Sequence, residues 1–329
     1  MKVCIVGAGA IGGLVGARLA AAGHCELSAL ARGATLAALR SHGWRLRSGG
    51  ALLQAPARAS ESPEDLGPQD LVIVAVKAPA LAELAPRLAP LIGPHTIVLP
   101  AMNGVPWWFG PGVPVLAERP LDCVDPGGTI VAALPLSRVV GCVVHLAATV
   151  LEPGLVEHRM GDTLIVGEPA GGDSARVRAV AALLAGAGLT ATVSDDVRRD
   201  LWFKLWGNLT INPVSAITGA TADRILADPL VRAFCSAAMR EASEIGARVG
   251  CAIEQAPEGR HAVTQRLGAF RSSMLQDAQA GRAIELDAIV GVVREIAGRL
   301  GIATPAIDAL FGLARLYGRV HGLYPESPG

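Results

Sequence analysis

Apolar and polar positions along this chain follow two different periods, and the change from one to the other divides it. Residues 3–6 (VCIV) form a short β-branched run that predicts a buried strand, and residues 25–30 (CELSAL) read as a second strand. Residues 70–76 (DLVIVAV) are a continuous apolar run, which predicts a strand buried on both faces, as in a parallel sheet. Ala- and Leu-rich helical stretches lie between them, at about 10–22 and 80–91, and residues 95–99 read as a further strand. From 113 to 166 the pattern shortens into strands rich in Val, Thr and Gly, such as 139–150 and 163–166, expected to extend the sheet in antiparallel fashion. A helix at 173–184 and a strand at 190–193 complete this half. Beyond Asp196 strand signals vanish. Ser194-Asp195-Asp196 predicts a helix cap, and Asp228-Pro229 opens a helix to about residue 249. Further helices are expected over 257–281 (in two pieces), 283–300 and 305–317, with a loose tail over 321–329. The prediction is an α/β fold: an N-terminal doubly wound sheet over residues 1–195, then an all-helical domain over 196–329.

Composition narrows the class. A chain of 329 residues is too long for one ordinary core. Hydrophobic residues make up 51%, charged residues 18%, and the mean hydropathy is +0.42, which describes a globular protein with a large core. Lys+Arg and Asp+Glu number 29 each, with no long run of one sign. Nothing there argues for nucleic acid or an anionic membrane surface as a partner. The six cysteines (Cys4, Cys25, Cys123, Cys142, Cys235 and Cys251) form no CxxC pair, which suits a reduced compartment. Lys2 and the apolar run after it imitate the start of a secretion signal. That run, however, carries Gly7, Gly9, Gly12, Gly13 and Gly16 and continues into a fold pattern. No segment reaches about 18 strongly apolar residues in a row. The expectation is a soluble, cytoplasmic chain without a membrane span.

The first chemical signal follows the first strand. Gly7-Ala8-Gly9-Ala10-Ile11-Gly12 is a GxGxxG placed between a strand and a helix, with the next strand within some thirty residues. The glycines serve a tight turn, close approach of a pyrophosphate to backbone, and close helix–strand packing. Phosphates would sit at the helix N-terminus, where free N–H groups and the dipole favour anions. Gly7, Gly9, Ala10, Ile11 and Gly12 are therefore candidate cofactor contacts, and the fold is of Rossmann type. At the end of the second strand the chain reads Leu30-Ala31-Arg32-Gly33, with no carboxylate for a ribose 2′-hydroxyl. Arg32 could instead hold a 2′-phosphate with its planar fork of donors, which favours NADP(H) over NAD(H). Lys77 and Asn103 stand at the ends of two later strands, on the edge where open α/β sheets place their ligands.

The second signal is residues 201–219, LWFKLWGNLTINPVSAITG. Lys204, Asn208 and Asn212 share one face, because steps of four drift only about 40° around a helix. Their neighbours are apolar on nearly every other side, so the helix is expected to be buried and Lys204 to need a partner or a lowered pKa. A snorkelling lysine and amides satisfied by carbonyls would look the same in sequence. Pro213 is expected to kink the helix. Two further polar spots are Ser272-Ser273-Met274-Leu275-Gln276-Asp277 and Ile284-Glu285-Leu286-Asp287; alone, each reads as a capped helix end. His145 and His158 lack a second ligand at metal spacing and read as structural, so no metal is expected.

Taken together, these features resemble the ketopantoate reductase (2-dehydropantoate 2-reductase) family over nearly the full length. The resemblance rests on the GAGAIG turn, Arg32, Lys77, Asn103-Gly104, the KxxxNxxxNP helix, SSMLQD and IELD. It implies an NADPH-dependent reduction of a 2-keto acid in pantothenate biosynthesis, with Lys204 as general acid. It also implies a substrate site lined by Asn103, Asn208, Asn212, Ser273 and Glu285, and it is compatible with a homodimer. Asp277 matches a family position without an assigned role. One departure is the bulky Val105-Pro106-Trp107-Trp108-Phe109 after Asn103-Gly104. Facing a pocket it would point to a 2-keto acid other than ketopantoate; packed beneath the loop it would change nothing. A non-catalytic NADP-binding sensor is the reading from another class, and Lys204, Asn208 and Glu285 together speak against it.

Overall fold

The apolar runs of the N-terminal half become five parallel strands: β1 (Lys2–Val6), β2 (Glu26–Leu30), β5 (Arg58–Ser60), β6 (Gln69–Val74) and β7 (Ile92–Pro100). Their order is β5-β2-β1-β6-β7, so the sheet winds one way from β1 and then the other. The computed structural model describes residues 1–110 and 113–326. Helices α1 (Ala10–Ala22), α2 (Gly33–His42) and α3 (Ala78–Leu84) follow β1, β2 and β6. The helix expected over 80–91 is α3 continued by a tight 3₁₀ stretch, Ala85–Leu91, which holds Pro90.

The shorter strands do not extend this sheet. Instead β3 (Trp44–Ser48), β4 (Ala51–Ala55), β8 (Gly141–Glu152), β9 (Leu155–Gly167) and β10 (Thr190–Ser194) build a second one. β8 and β9 pair antiparallel from Gly141↔Gly167 to Glu152↔Leu155, and the other edge of β9 takes β3 and β10 in parallel. Those ladders occupy both edges of β9; among the described residues one isolated bridge, Val98↔Val139, joins β7 to the chain just before β8. The remaining helices of this half are α4 (Thr129–Ala133) and α5 (Ala175–Gly186).

Helix α1 lies in the core shared by β1 of the first sheet and β3, β8 and β9 of the second. Its glycines make this fit possible. A side chain at Gly12 would strike the Gly7 carbonyl, one at Gly13 the Val156 side chain, and one at Gly16 the Trp44 ring. The buried indole of Trp44 thus occupies the volume that residue 16 leaves open.

The chain divides into two compact units. One comprises Met1–Trp108 with Gly128–Asp200, the other Phe109–Gly127 with the chain from Leu201 onward. The segment Phe109–Gly127, placed by the sequence pattern in the first domain, therefore belongs with the helices. Glu295 explains part of this: its carboxylate accepts the backbone N–H groups of Asp122 and Cys123, both at 2.9 Å. Phe109 stacks on Trp202, with ring centroids 5.6 Å apart.

The second unit contains α6 (Val197–Thr218, from Leu201 on), α7 (Ala222–Ala227), α8 (Pro229–Arg248), α9 (Pro257–Gln265), α10 (Ser273–Gln279), α11 (Val292–Leu300) and α12 (Pro305–Val320). Caps follow the sequence signals: Asp228 Oδ1 accepts from Leu230 and Val231 N–H, and Asp196 Oδ1 from Arg199 N–H. Two expectations are corrected. Residues 283–285 are not helical; the helix starts at Leu286 with a π-helical turn, Asp287–Gly291, before α11. The tail is not loose as far as it is described: Leu323 is buried, and its N–H and C=O bond to Gly318 O and Ile284 N–H. The rest of the expected loose tail, 327–329, lies outside the described residues. All six cysteines are free thiols, four of them buried. Among the described residues no helix is long and apolar enough to cross a membrane.

Candidate active site

Every cofactor candidate in the first unit sits where a parallel strand ends. Gly7 follows β1 with φ +91° and donates its N–H to Leu30 O at 3.0 Å, which starts the turn. Gly9 is the N-cap of α1, and a Cβ there would meet nothing within 4 Å. Only open space therefore faces that residue, and the first turn of α1 carries no acidic side chain. This is a fit for an anionic pyrophosphate, which approaches glycine backbone closely and is drawn by the helix N-terminus. Ala10 and Ile11 begin the helix beside it, and Gly12 packs against Ile5 and Ala75.

The sheet reverses direction between β1 and β6, and open α/β sheets bind ligands at such a switch point. Lys77, half-buried, follows β6 and precedes α3. Asn103, half-buried, follows β7 beside Gly104, whose φ of +80° turns the chain. Arg32 is exposed after β2 and caps α2, whose first turn has no acidic residue. The four strand ends carry the glycine turn, Arg32, Lys77 and Asn103 along one sheet edge.

In the second unit the rotation of α6 is set by two tryptophans. Trp202 donates its indole N–H to Ala242 O at 3.2 Å, and Trp206 to Met239 O at 2.8 Å, both on α8. Lys204 and Asn208 each lie two residues further on, about 200° around the helix, and so face away from α8. The helix is not buried all round, as its composition suggested. Lys204 and Asn208 are half-buried and Phe203 is exposed, while Asn212 is buried. The helix runs on through Pro213 to Thr218, packed by Ile211 and Val214 into a core with α7, α8 and α12. Gly207 faces the Arg260 guanidinium, which also lies 5.3 Å from the centre of the Phe203 ring.

Sequence reasoning missed how the SSMLQD stretch is joined to α6. Ser272, not Ser273, is the buried cap: it accepts from Leu275 N–H at 3.1 Å and meets Ser215 Oγ at 2.5 Å. Ser215 in turn donates to Asn212 O at 2.8 Å. Ser273, the candidate substrate contact, is exposed at the start of α10. The signal was present as the double serine, since an N-cap needs one hydroxyl and leaves the other. Asp277 is buried and pairs with Arg282 at 3.0 Å. Glu285 is half-buried in the irregular stretch before the π-helical turn.

Two family models cover these elements: "Ketopantoate reductase PanE/ApbA" matches residues 3–171 and "Ketopantoate reductase PanE/ApbA C terminal" residues 196–318. A 2-dehydropantoate 2-reductase from Mesorhizobium japonicum is 44% identical over 98% of this chain and 100% of its own. The chain belongs to the ketopantoate reductase family. A crystallised relative from Ralstonia solanacearum MolK2 shares 55% identity over 98% of this chain and 99% of its own, with a TM-score of 0.95. A family ketopantoate reductase from Ralstonia eutropha JMP134 superposes with a TM-score of 0.83 at 27% identity, covering 98% and 100% of the two chains. As a member of this family the chain is an oxidoreductase of NAD(P)-dependent type acting on a keto acid.

The aromatic departure from the family pattern is accounted for by packing. Trp107 and Trp108 are both buried; Trp107 donates to Leu134 O at 3.3 Å, and Trp108 fills the space beside Gly141.

Proposed function

We propose that this protein reduces 2-dehydropantoate (ketopantoate) to pantoate, with NADPH as hydride donor and Lys204 as general acid. The observation that carries the reading is the 44% identity to a 2-dehydropantoate 2-reductase over essentially both full lengths. Lys204, Asn208 and Asn212 on one face of α6 support it. When bound, NADPH supplies a hydride to the keto carbon. Negative charge then builds on the keto oxygen, and Lys204 Nζ donates its proton there. Asn208 and Asn212 orient substrate and lysine with neutral dipoles, which add no competing charge. Asn103 takes a further polar contact, Ser273 holds the substrate carboxylate, and Glu285 accepts from the hydroxymethyl arm. On the cofactor side, Gly7, Gly9, Ala10, Ile11 and Gly12 cradle the pyrophosphate. Arg32 pairs with the 2′-phosphate and Lys77 adds positive charge at the switch point.

Trp107 and Trp108 are buried, the packed arrangement under which the aromatic run leaves the ketopantoate reading unchanged. The free thiols suit a reducing cytoplasm, and the partners proposed are a small-molecule keto acid and a second copy of the chain.

The test is NADPH oxidation by the purified protein across a panel of 2-keto acids. Ketopantoate should be preferred over 2-ketoisovalerate, which lacks the hydroxymethyl arm. A carboxylate built to accept a hydroxyl forgoes that hydrogen bond with a substrate that lacks one, at a cost of about 1–3 kcal/mol. Glu285→Ala should lose most of that preference by slowing ketopantoate selectively. Equal turnover of both acids by the wild type would overturn the substrate assignment.

A further inference from the structure

Glu285 stands in a stretch with little regular structure of its own. Gly281 has φ +64°, residues 282–285 have no regular secondary structure, and the helix starts only at Leu286. Such a segment needs outside support if its side chain is to present one geometry. The residues on either side of Glu285 receive that support from adjacent positions of the C-terminal tail. Ile284 donates its N–H to Leu323 O at 3.0 Å, and Tyr324 donates its O–H to Asp287 Oδ1 at 2.9 Å.

The tail is itself held. Gly322 reverses the chain with φ +67°, and Leu323 N–H bonds back to Gly318 O at 2.7 Å. Arg319 Nε donates to Pro325 O at 3.0 Å, and its guanidinium lies over the Tyr324 ring. A side chain at Gly318 would crowd Tyr324 Cβ at 2.7 Å, so the glycine lets the tail lie against α12. Ile284, Leu286 and Leu323 are all buried, so the Ile284–Leu323 tether is shielded from water, and the Tyr324–Asp287 bond is half-buried.

We infer that the C-terminal tail, through Leu323 and Tyr324, is the positioning element for Glu285 and thereby a determinant of substrate specificity. The inference rests on the reading of Glu285 as the acceptor for the substrate hydroxyl. One tether fixes the backbone immediately before Glu285, the other the carboxylate two residues after it. Together they set the direction in which the Glu285 side chain leaves the chain. Burial raises the Asp287 carboxyl pKa while the Tyr324 hydrogen bond opposes that rise. The tyrosine hydroxyl thus also satisfies a carboxylate that has left water.

The experiment compares Tyr324→Phe with wild type and Glu285→Ala, using ketopantoate and 2-ketoisovalerate. Tyr324→Phe should lower the kcat/KM ratio of the two substrates by about three- to tenfold, the effect of one displaced hydrogen bond. KM for NADPH and kcat with 2-ketoisovalerate should stay at their wild-type values, which a general loss of structure would not allow. Asp287→Asn keeps an acceptor for Tyr324 and should retain most of the preference. If Glu285→Ala abolishes the preference while Tyr324→Phe preserves it in full, the tail does not position Glu285. If Glu285→Ala also leaves the preference intact, the reading of Glu285 falls and the inference with it. A second measurement needs no variant: the Ile284 amide of the wild type should be protected from hydrogen exchange. Exchange there at the rate of an open chain would overturn the proposal even if Tyr324→Phe failed to fold.

Discussion

Ser215 Oγ and Ser272 Oγ lie 2.5 Å apart, and the hydrogen bonds around them fix the direction of every proton. Ser215 gives its proton to Asn212 O, so Ser272 must donate to Ser215, leaving Ser272 Oγ to accept from Leu275 N–H. One hydroxyl relay thus joins the Asn212 turn of α6 to the start of α10. Ser272→Ala removes both the relay and the helix cap, and should cost about 1–2 kcal/mol of stability in denaturant melts. Ser273→Ala, one residue on and exposed, should leave the melt unchanged and raise KM for the keto acid. The opposite pattern would assign the substrate contact to Ser272.

Lys204→Ala should remove most of kcat while NADPH binding stays near wild type, because a general acid acts in the transition state. A loss on the order of 10² or more is expected. Circular dichroism and a cofactor titration check the fold and binding. Wild-type turnover in a folded Lys204→Ala protein would make the lysine structural.

Arg32→Ala should raise KM for NADPH far more than KM for NADH, since only the former carries a 2′-phosphate for the guanidinium. Steady-state kinetics with both cofactors decide it. An enzyme that uses the two equally, before and after the change, would refute the preference for NADP(H).

His261 is buried on α9 and lies 2.9 Å from Ser236 Oγ by its Nε2. Burial lowers its pKa below the ordinary histidine value, the neighbouring Arg232 and Arg240 charges acting the same way and Glu258 against them. A histidine depressed in the folded state binds its proton first in the unfolded chain. Its contribution to stability is full above the unfolded pKa of about 6.5 and declines as pH falls below it. Thermal melts from about pH 7.5 to 5.5 should therefore fall more steeply for wild type than for His261→Asn. Parallel slopes would exclude His261 as the titrating group.

Four strands of the first sheet were legible, helped by runs such as residues 70–76 that bury both faces; β5, only three residues long, was not read. The β3–β4 hairpin was legible too, though unread: Trp44 and Leu46 are buried in alternation with Arg45 and Arg47. Gly49 and Gly50, with φ +56° and +82°, supply the turn. The separation of the second sheet was not legible, since strand propensity does not say which edge a strand will join. Around the site, Lys204, Asn208 and Asn212 announced their shared face by spacing alone. Which side of α6 stays open was set by Trp202 and Trp206 bonding to α8 carbonyls, a long-range choice that composition cannot show. The tail failed as a prediction for a similar reason: its order comes from backbone bonds to Gly318 and Ile284, and backbone groups are the same in every sequence.

The assignment of Phe109–Gly127 to the helical unit bears on how the gene could be cut or recombined. The chain passes from one unit to the other at Trp108/Phe109, at Gly127/Gly128 and at Asp200/Leu201. A single breakpoint near residue 200 would separate Trp202 from Phe109 and strip Glu295 of the two amides it binds. The helical half is therefore not a portable module: exchange between relatives needs a double crossover that carries 109–127 along. A ribosome likewise completes this short strap 73 residues (128–200) before it begins the rest of the unit.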